Sequence, residues 1–317
     1  MRDPFREGLA AGWKHIDASQ LAVDLPIEAD VVIIGSGAGG GVTAEILAAN
    51  GLKVIIVEEG PLRTSSDFKM REAEAYPDLY QESAARKTAD KAINILQGRC
   101  VGGSTTVNWT SSFRTPPRTL QWWQSAWGLK RLGVDAMAPW FAAMEQRLHV
   151  GLWPIPPNEN NAALARGAAQ LGIPVAVIPR NVKMCWNLGY CGMGCPTNAK
   201  QSMLLTTLPA ALTNGAMLIS RLRAERFEFS GNKAISLTAL AMKADGIHPS
   251  SVKVTLRARH FVLAGGAVNS PALLLRSKAV DPHGLLGKRT FLHPTLISSG
   301  LFDKPVRAYA GAPQSVY

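Results

Sequence analysis

The hydrophobic pattern of this chain is least ambiguous near its start. Between residues 30 and 60, in DVVIIGSGAGGGVTAEILAANGLKVIIVEEG, two short continuous apolar runs flank a stretch of helical spacing. Continuous rather than alternating apolar runs are the mark of strands buried on both faces, so the segment predicts a parallel βαβ unit. Farther along, residues 63–97 are charged and helix-prone, and residues 120–150 carry Trp, Leu and Met at helical spacing, which predicts core or lid packing for these aromatics. The Pro-rich stretch LWPIPPNENN predicts a domain crossing at 152–161, followed by a helix and a strand over 162–180 and a helix over 200–214. Residues 216–229 and 233–243 alternate like strands, and 252–264 adds another. In HFVLAGGAVNSPALLLRS a buried strand runs into a glycine turn, after which Ser270 is placed as N-cap and Pro271 as first helical residue. No internal repeat is evident.

The turn of the βαβ unit carries Gly35, Gly37 and Gly40 in G-x-G-x-x-G order. Gly35 permits the tight turn, Gly37 lets backbone approach a pyrophosphate, and Gly40 allows the helix to pack closely on the strand. A diphosphate then rests on the open N–H groups at the helix start, contributed by Ala38 and Gly39 among others. Glu58 ends the second strand, where a carboxylate accepts hydrogen bonds from ribose hydroxyls. This combination predicts an adenine-dinucleotide site without choosing between flavin and nicotinamide. A second glycine segment, GRCVGGSTTVN at 98–108, removes side chains at Gly102 and Gly103 and adds the hydroxyls of Ser104, Thr105 and Thr106 and the amide of Asn108. Cys100, inside it, is read as a small packing residue.

These two segments together with GGAVNSPALLLRS at 265–277 resemble the glucose-methanol-choline (GMC) oxidoreductases, FAD enzymes that oxidise alcohols, and the resemblance runs from about residue 28 to the end. It implies an α/β fold, a Rossmann-like FAD-binding domain with part of an α+β substrate domain. It also implies that Ser104 and Asn108 contact the cofactor, Asn108 near the isoalloxazine. The expected cofactor contacts are Gly35, Gly37, Ala38, Gly39, Gly40, Glu58, Gly102, Gly103, Ser104, Asn108, Ala224, Gly266 and Ala267. Trp109 follows Asn108 where the family usually has Gly, and NWTSSFRTP looks like the long-chain alcohol oxidase branch. Ser277-Lys278 replaces a usual Ser-Gly. His293-Pro294 resembles a family stretch reading Asp-His-Pro, with Leu292 in place of the Asp, and His293 is read as structural or cofactor-flanking. Family members are generally longer, and their proton-handling His pair (His with His or Asn) lies near a C-terminus that this chain does not reach, which predicts a truncated form. None of the histidines 15, 149, 248, 260, 283 and 293 matches that pair, so no catalytic residue is assigned.

Cys185, Cys191 and Cys195 are spaced C-x5-C-x3-C. Clustered thiolates suit an iron–sulfur cluster or zinc, and three sulfurs suffice for a three-iron cluster. The spacing and the following Pro resemble the cluster loop of membrane-associated FAD sugar dehydrogenases, which pass electrons to a cytochrome. Cysteine-rich loops also occur in long-chain alcohol oxidases, so a metal set and structural thiols both stand as readings. With a cluster the electron acceptor would be a cytochrome or quinone.

Composition bounds the rest. Hydrophobic residues make up 47% of 317, which predicts a packed globular chain rather than a disordered one. No apolar run reaches bilayer-spanning length, and the first 28 residues lack a signal peptide's apolar core, which predicts a cytoplasmic location with membrane association only through a partner. The net charge of +11 is spread without blocks of like charge or a nucleic-acid motif, so it reads as solvated surface rather than a polyanion site. The expected organisation is an N-terminal extension (1–28), a first FAD-binding part (29–150), a substrate-domain segment with the cysteine loop (151–199) and a second FAD-binding part leading into the substrate-domain sheet (200–317). The expected function is hydride transfer from an alcohol or sugar to FAD. The alternatives are a non-catalytic FAD-binding remnant and a nicotinamide-dependent reductase.

Overall fold

The computed structural model describes residues 2–293 and 295–317. Its strands are β1 (Lys14–Asp17), β2 (Leu25–Ile34), β3 (Val54–Val57), β4 (Val150–Leu152), β5 (Pro179–Asn181), β6 (Met217–Ser220), β7 (Leu222–Ser230), β8 (Lys233–Met242) and β9 (Pro249–Leu263). Its helices are α1 (Pro4–Ala10), α2 (Ala38–Ala49), α3 (Glu72–Leu79), α4 (Ser104–Val107), α5 (Pro117–Trp127), α6 (Val134–Arg147), α7 (Glu159–Gln170), α8 (Thr207–Thr213) and α9 (Gly266–Arg276). The chain forms two compact units, the first comprising Met1–Val107, Gly192–Asn198 and Met203–Ser299, the second Asn108–Cys191, Ala199–Ser202 and Gly300–Tyr317.

The first unit is built on a seven-stranded sheet of order β1-β6-β3-β2-β9-β8-β7. The strands from β1 to β9 in that order run parallel, and β8 and β7 extend the sheet as an antiparallel meander from β9. All four residues of β3 are buried, as are Val31, Val32, Ile33 and Ile34 of β2, which is why these strands read as unbroken apolar runs. Each such side chain contributes about 1.5–3 kcal/mol on burial. Val32, Ile34, Ile55 and Val57, on one face of the sheet, pack with Ile219, Leu222, Phe227, Leu237, Val254, Leu256 and Leu273 into one core. The mixed α/β architecture expected from the pattern is thus present, and the first 28 residues belong to it, because β1 is an edge strand of the sheet and β2 begins at Leu25.

Several local expectations are corrected. The stretch 216–229 is two strands, not one: Arg221 adopts φ +51°, donates its N–H to the Gly60 carbonyl at 3.0 Å and pairs with Asp17 at 2.6 Å, so β6 and β7 part to different places in the sheet. Residues 63–97 are largely irregular, with α3 their only α-helix among the described residues, because Glu82, Ser83, Ala84 and Lys91 sit at positive φ and break helical propagation. α8 is confined to Thr207–Thr213, with Pro209 in its first turn. α9 starts at Gly266 and contains Pro271, so Ser270 is not its cap; Gly266 at φ +84° makes the turn that the sequence assigned to Ser270-Pro271.

The His15 ring Nε2 lies 2.9 Å from Ser220 Oγ across the β1–β6 pair, and burial, with Arg221 adding to it and Asp17 opposing, holds its pKa below the ordinary value. A depressed His pKa stabilises the fold above the unfolded value of about 6.5 and loses that contribution as pH falls through the folded value. Thermal unfolding scanned from pH 7.5 to pH 5 is expected to show a smaller acid loss for His15→Gln than for the parent chain. Equal losses would mean that His15 is not a source of the acid sensitivity.

The second unit holds the antiparallel β4–β5 pair, α5, α6 and α7. The segment 152–161, expected as a domain crossing, lies within this unit. The buried guanidinium of Arg180 stacks over Trp153 at 4.6 Å, and its Nε donates to Thr110 Oγ1 at 2.8 Å.

Candidate functional site

The first unit contains a cleft of about 620 Å³ at the carboxyl ends of its parallel strands, within the size range of small-molecule and cofactor sites. One wall is the turn from β2 to α2. Gly35 leaves the strand at φ +102°, and a Cβ on it would stand 2.4 Å from the Ala264 carbonyl oxygen. Gly37 then stands at the N-cap of α2, which has no side-chain cap and no acid in its first turn, while Gly37, Ala38 and Gly39 line the cleft. An uncapped helix start presents N–H groups and the positive end of the helix dipole to whatever occupies the space. Gly40 lies underneath: a Cβ there would come 1.8 Å from the Gly35 carbonyl oxygen.

The second glycine segment forms the facing wall. Gly103, at φ +54°, passes so close to the first turn that a Cβ on it would stand 2.8 Å from Gly37 Cα. Gly98 and Gly60 are equally constrained, by the Gly103 carbonyl group at 2.8 Å and by the Arg99 carbonyl oxygen at 2.1 Å. At these glycines backbone therefore passes against backbone, where a side chain would clash.

Glu58 ties these loops together. Its Oε2 accepts the Ser36 N–H at 3.1 Å and the Ser36 hydroxyl at 2.5 Å, and its Oε1 accepts the Gly60 N–H at 2.9 Å. Ser36 Oγ in turn accepts the Gly102 N–H at 3.0 Å. Burial pushes the Glu58 carboxyl up in pKa, opposed by the hydrogen bonds from Ser36 and Gly60. A carboxylate has about four acceptor positions. Three are taken within the chain, which leaves one for the cleft that Glu58 lines. Ser36 gives no signal in the glycine motif itself, being one of its unspecified positions; only the fold reveals it as the junction.

Of the residues expected at the cofactor, Gly35, Gly37, Ala38, Gly39, Glu58, Gly103, Ser104, Ala224 and Gly266 line this one cleft. Gly40 and Gly102 support it from behind. Ala267 is exposed in the first turn of α9. Asn108 belongs to the second unit, where its Oδ1 accepts the Thr110 N–H at 3.2 Å and its carbonyl accepts from Lys200 Nζ at 2.7 Å. The cleft also gathers residues that the sequence did not single out. Arg86 donates to Gln97 Oε1 at 2.8 Å and Asn269 Oδ1 at 3.2 Å, Arg99 to the Gly246 carbonyl, and Arg276 to the Ala224 carbonyl at 3.2 Å. Arg99 stands in the glycine segment next to Gly98, and that adjacency was a usable signal; Arg86, Gln97 and Asn269 meet only through folding.

The cysteine loop does not form a metal set. Among the described residues no group of three or more His, Cys, Asp or Glu side chains is placed to hold a metal ion. Each sulfur is engaged locally instead: Cys185 Sγ accepts the Asn187 N–H at 3.4 Å, Cys191 Sγ accepts from Arg180 at 3.7 Å, and Cys195 Sγ lies 3.4 Å from Thr197 Oγ1. The expected iron–sulfur ligation by Cys185, Cys191 and Cys195 is therefore not supported. Cys100 is buried, as its packing role requires. His293 is exposed, and Pro294 lies outside the described residues.

The uncapped glycine turn and the carboxylate at the end of β3 fit the diphosphate and a ribose of FAD. Comparison with known proteins agrees. A GMC oxidoreductase family model matches residues 76–295, and an FAD-binding domain model matches residues 30–70. A long-chain-alcohol oxidase of Arabidopsis thaliana is 33% identical over 291 residues, covering 90% of this chain and 38% of that protein. An uncharacterized GMC-type oxidoreductase of Mycobacterium tuberculosis is 35% identical over 300 residues, 93% of this chain and 46% of that one. This chain thus spans less than half the length of these two relatives. Among solved structures, pyridoxine 4-oxidase from Mesorbium loti superposes with a TM-score of 0.58 at 23% identity over 79% of this chain and 52% of its own. A formate oxidase does so with a TM-score of 0.58 at 17% identity over 81% and 48%. With a β2–α2 turn open to a dinucleotide, a second glycine wall against it and a family model matched across most of its length, the chain belongs to the GMC oxidoreductase family.

Proposed function

We propose that this chain is the FAD-binding part of an oxidoreductase acting on CH–OH groups. The observation that carries this reading is the cleft in which the uncapped start of α2, the Gly103 wall and Glu58 converge. In it the N–H groups of Ala38 and Gly39 would hold the diphosphate, and the remaining acceptor position of Glu58 would take a ribose hydroxyl. Backbone at Ala224 and at the start of α9, from Gly266 to Ala267, would line the rest of the cofactor's length. Ser104 and Asn108 carry over from the family as cofactor contacts, Asn108 as the one near the isoalloxazine. A bound flavin supplies a hydride acceptor. The alcohol oxidase activity in the plant relative's name favours an alcohol as hydride donor.

Titration of the apo-protein with FAD, followed by flavin absorbance and fluorescence, tests the reading. The chain should bind FAD in preference to nicotinamide dinucleotides. Glu58→Gln should weaken FAD binding and lower thermal stability by about 1–3 kcal/mol, because the amide presents a donor to the N–H of Ser36 or Gly60. A chain that stays colourless in excess FAD, or that prefers a nicotinamide dinucleotide, would overturn the assignment.

A further inference from the structure

The Trp-rich segment of the second unit is not core. Leu120 is buried and Trp123 half-buried on the inner side of α5, whereas Trp122 is 54% and Trp127 60% exposed, their rings in edge contact at 6.1 Å. Leu129 follows at 42% exposure. Trp122 and Trp127 are thus not core residues. Two neighbouring exposed indoles with a leucine beside them form an apolar ridge, and water gains nothing from it.

Along the chain, the charge flanking the ridge has one sign. From Asn108 through Val134 the chain contains no aspartate or glutamate, while Arg118, Lys130 and Arg131 are exposed on and just beyond α5. The fourth cation of the segment, Arg114, is neutralised by Glu145 at 2.6 Å, and the next acid, Asp135, comes only after the ridge has ended. Arg118 and Trp122 are four residues apart on the helix, so cation and indole share a face.

We propose that α5 and the turn after it dock on the surface of an anionic lipid bilayer, with Trp122, Trp127 and Leu129 entering the headgroup boundary and Arg118, Lys130 and Arg131 on the lipid phosphates. Indole has an apolar body and an N–H that stays hydrated, which suits the membrane interface. Flanking cations without acids are attracted to anionic headgroups, and a short amphipathic helix lies in the interface plane rather than crossing it. No helix among the described residues is long and apolar enough to cross a membrane, so the contact is peripheral. A protein partner would be selected by shape and by paired hydrogen bonds; this ridge offers chiefly rings and unbalanced positive charge, which match a lipid surface better.

Co-sedimentation of the 317-residue chain with vesicles tests the proposal, using phosphatidylcholine alone against phosphatidylcholine with phosphatidylglycerol. The chain should bind the anionic vesicles at least about tenfold more strongly, and added salt should weaken the binding. The double variant Trp122→Ser with Trp127→Ser should lose about tenfold or more, and so should Lys130→Glu with Arg131→Glu. Circular dichroism should show that both remain folded, since all four positions are exposed. Absence of binding to anionic vesicles, equal binding to neutral ones, or binding that survives both double variants would overturn it. So would a self-association, seen by light scattering, that the tryptophan variant abolishes while the vesicles go unbound.

Discussion

Gly37→Val is expected to leave the fold intact and to abolish flavin retention. Gly37 sits at φ −70° and ψ −161°, extended backbone with no left-handed φ, and a Cβ placed there meets only Gly103 Cα, at 3.8 Å. The added isopropyl group would instead occupy the cleft at the helix start, where the diphosphate must approach the backbone. Displacing the diphosphate from the open N–H groups should cost at least about 3 kcal/mol, roughly 100-fold or more in affinity. Circular dichroism and thermal unfolding of the apo-variant should match the parent, while FAD titration should show no saturable binding in the parent's range. Tight flavin binding by a well-folded Gly37→Val chain would sink the placement of the diphosphate.

Gly40→Ala should do the reverse and strike the fold itself. In the interior of an exposed helix this substitution stabilises by about 0.8–1.0 kcal/mol. Here the new Cβ would fall 1.8 Å from the Gly35 carbonyl oxygen and 3.3 Å from Ala264 Cβ, so either α2 or the β2 turn must move. The turn cannot yield cheaply, because Gly35 is itself pressed against Ala264 and its N–H donates to the Val57 carbonyl at 2.8 Å. Overpacking of this kind outweighs the helix-propensity gain, and a net loss of about 3 kcal/mol or more is expected. Gly167→Ala in α7 is the control: a Cβ there meets nothing within 4 Å, so it should stabilise slightly. If urea unfolding gave Gly40→Ala the same small gain, the close approach of α2 to the β2 turn would be refuted.

What could be read in the chain follows from which interactions are local. The βαβ unit was legible because its strands are buried on both faces, so burial appears directly as apolar runs, and because a tight turn into a helix demands glycine at fixed spacing. That Trp122 and Trp127 are exposed rather than core was not legible, for a physical reason. Helical spacing of apolar residues says which residues share a face, but not whether another element covers that face. The cysteine spacing left a metal set and structural thiols both open for a similar reason, since close spacing along a loop does not by itself bring three sulfurs to one point. The split of β6 from β7 at Arg221 was hidden because a single positive φ, held by Gly60 and Asp17, leaves no mark in the alternation.

The sequence by itself determined the family, the α/β class and the glycine turn, because each rests on residue types that the backbone requires at set intervals. Only the tertiary structure decided that Glu58 is the buried junction of three loops, that Gly98, Gly60 and Gly103 are constrained by backbone distant in sequence, and that Arg86, Gln97 and Asn269 share the cleft. These are meetings between residues far apart in the chain, and they come about only when the sheet, by burying its core, brings the loops at its strand ends together.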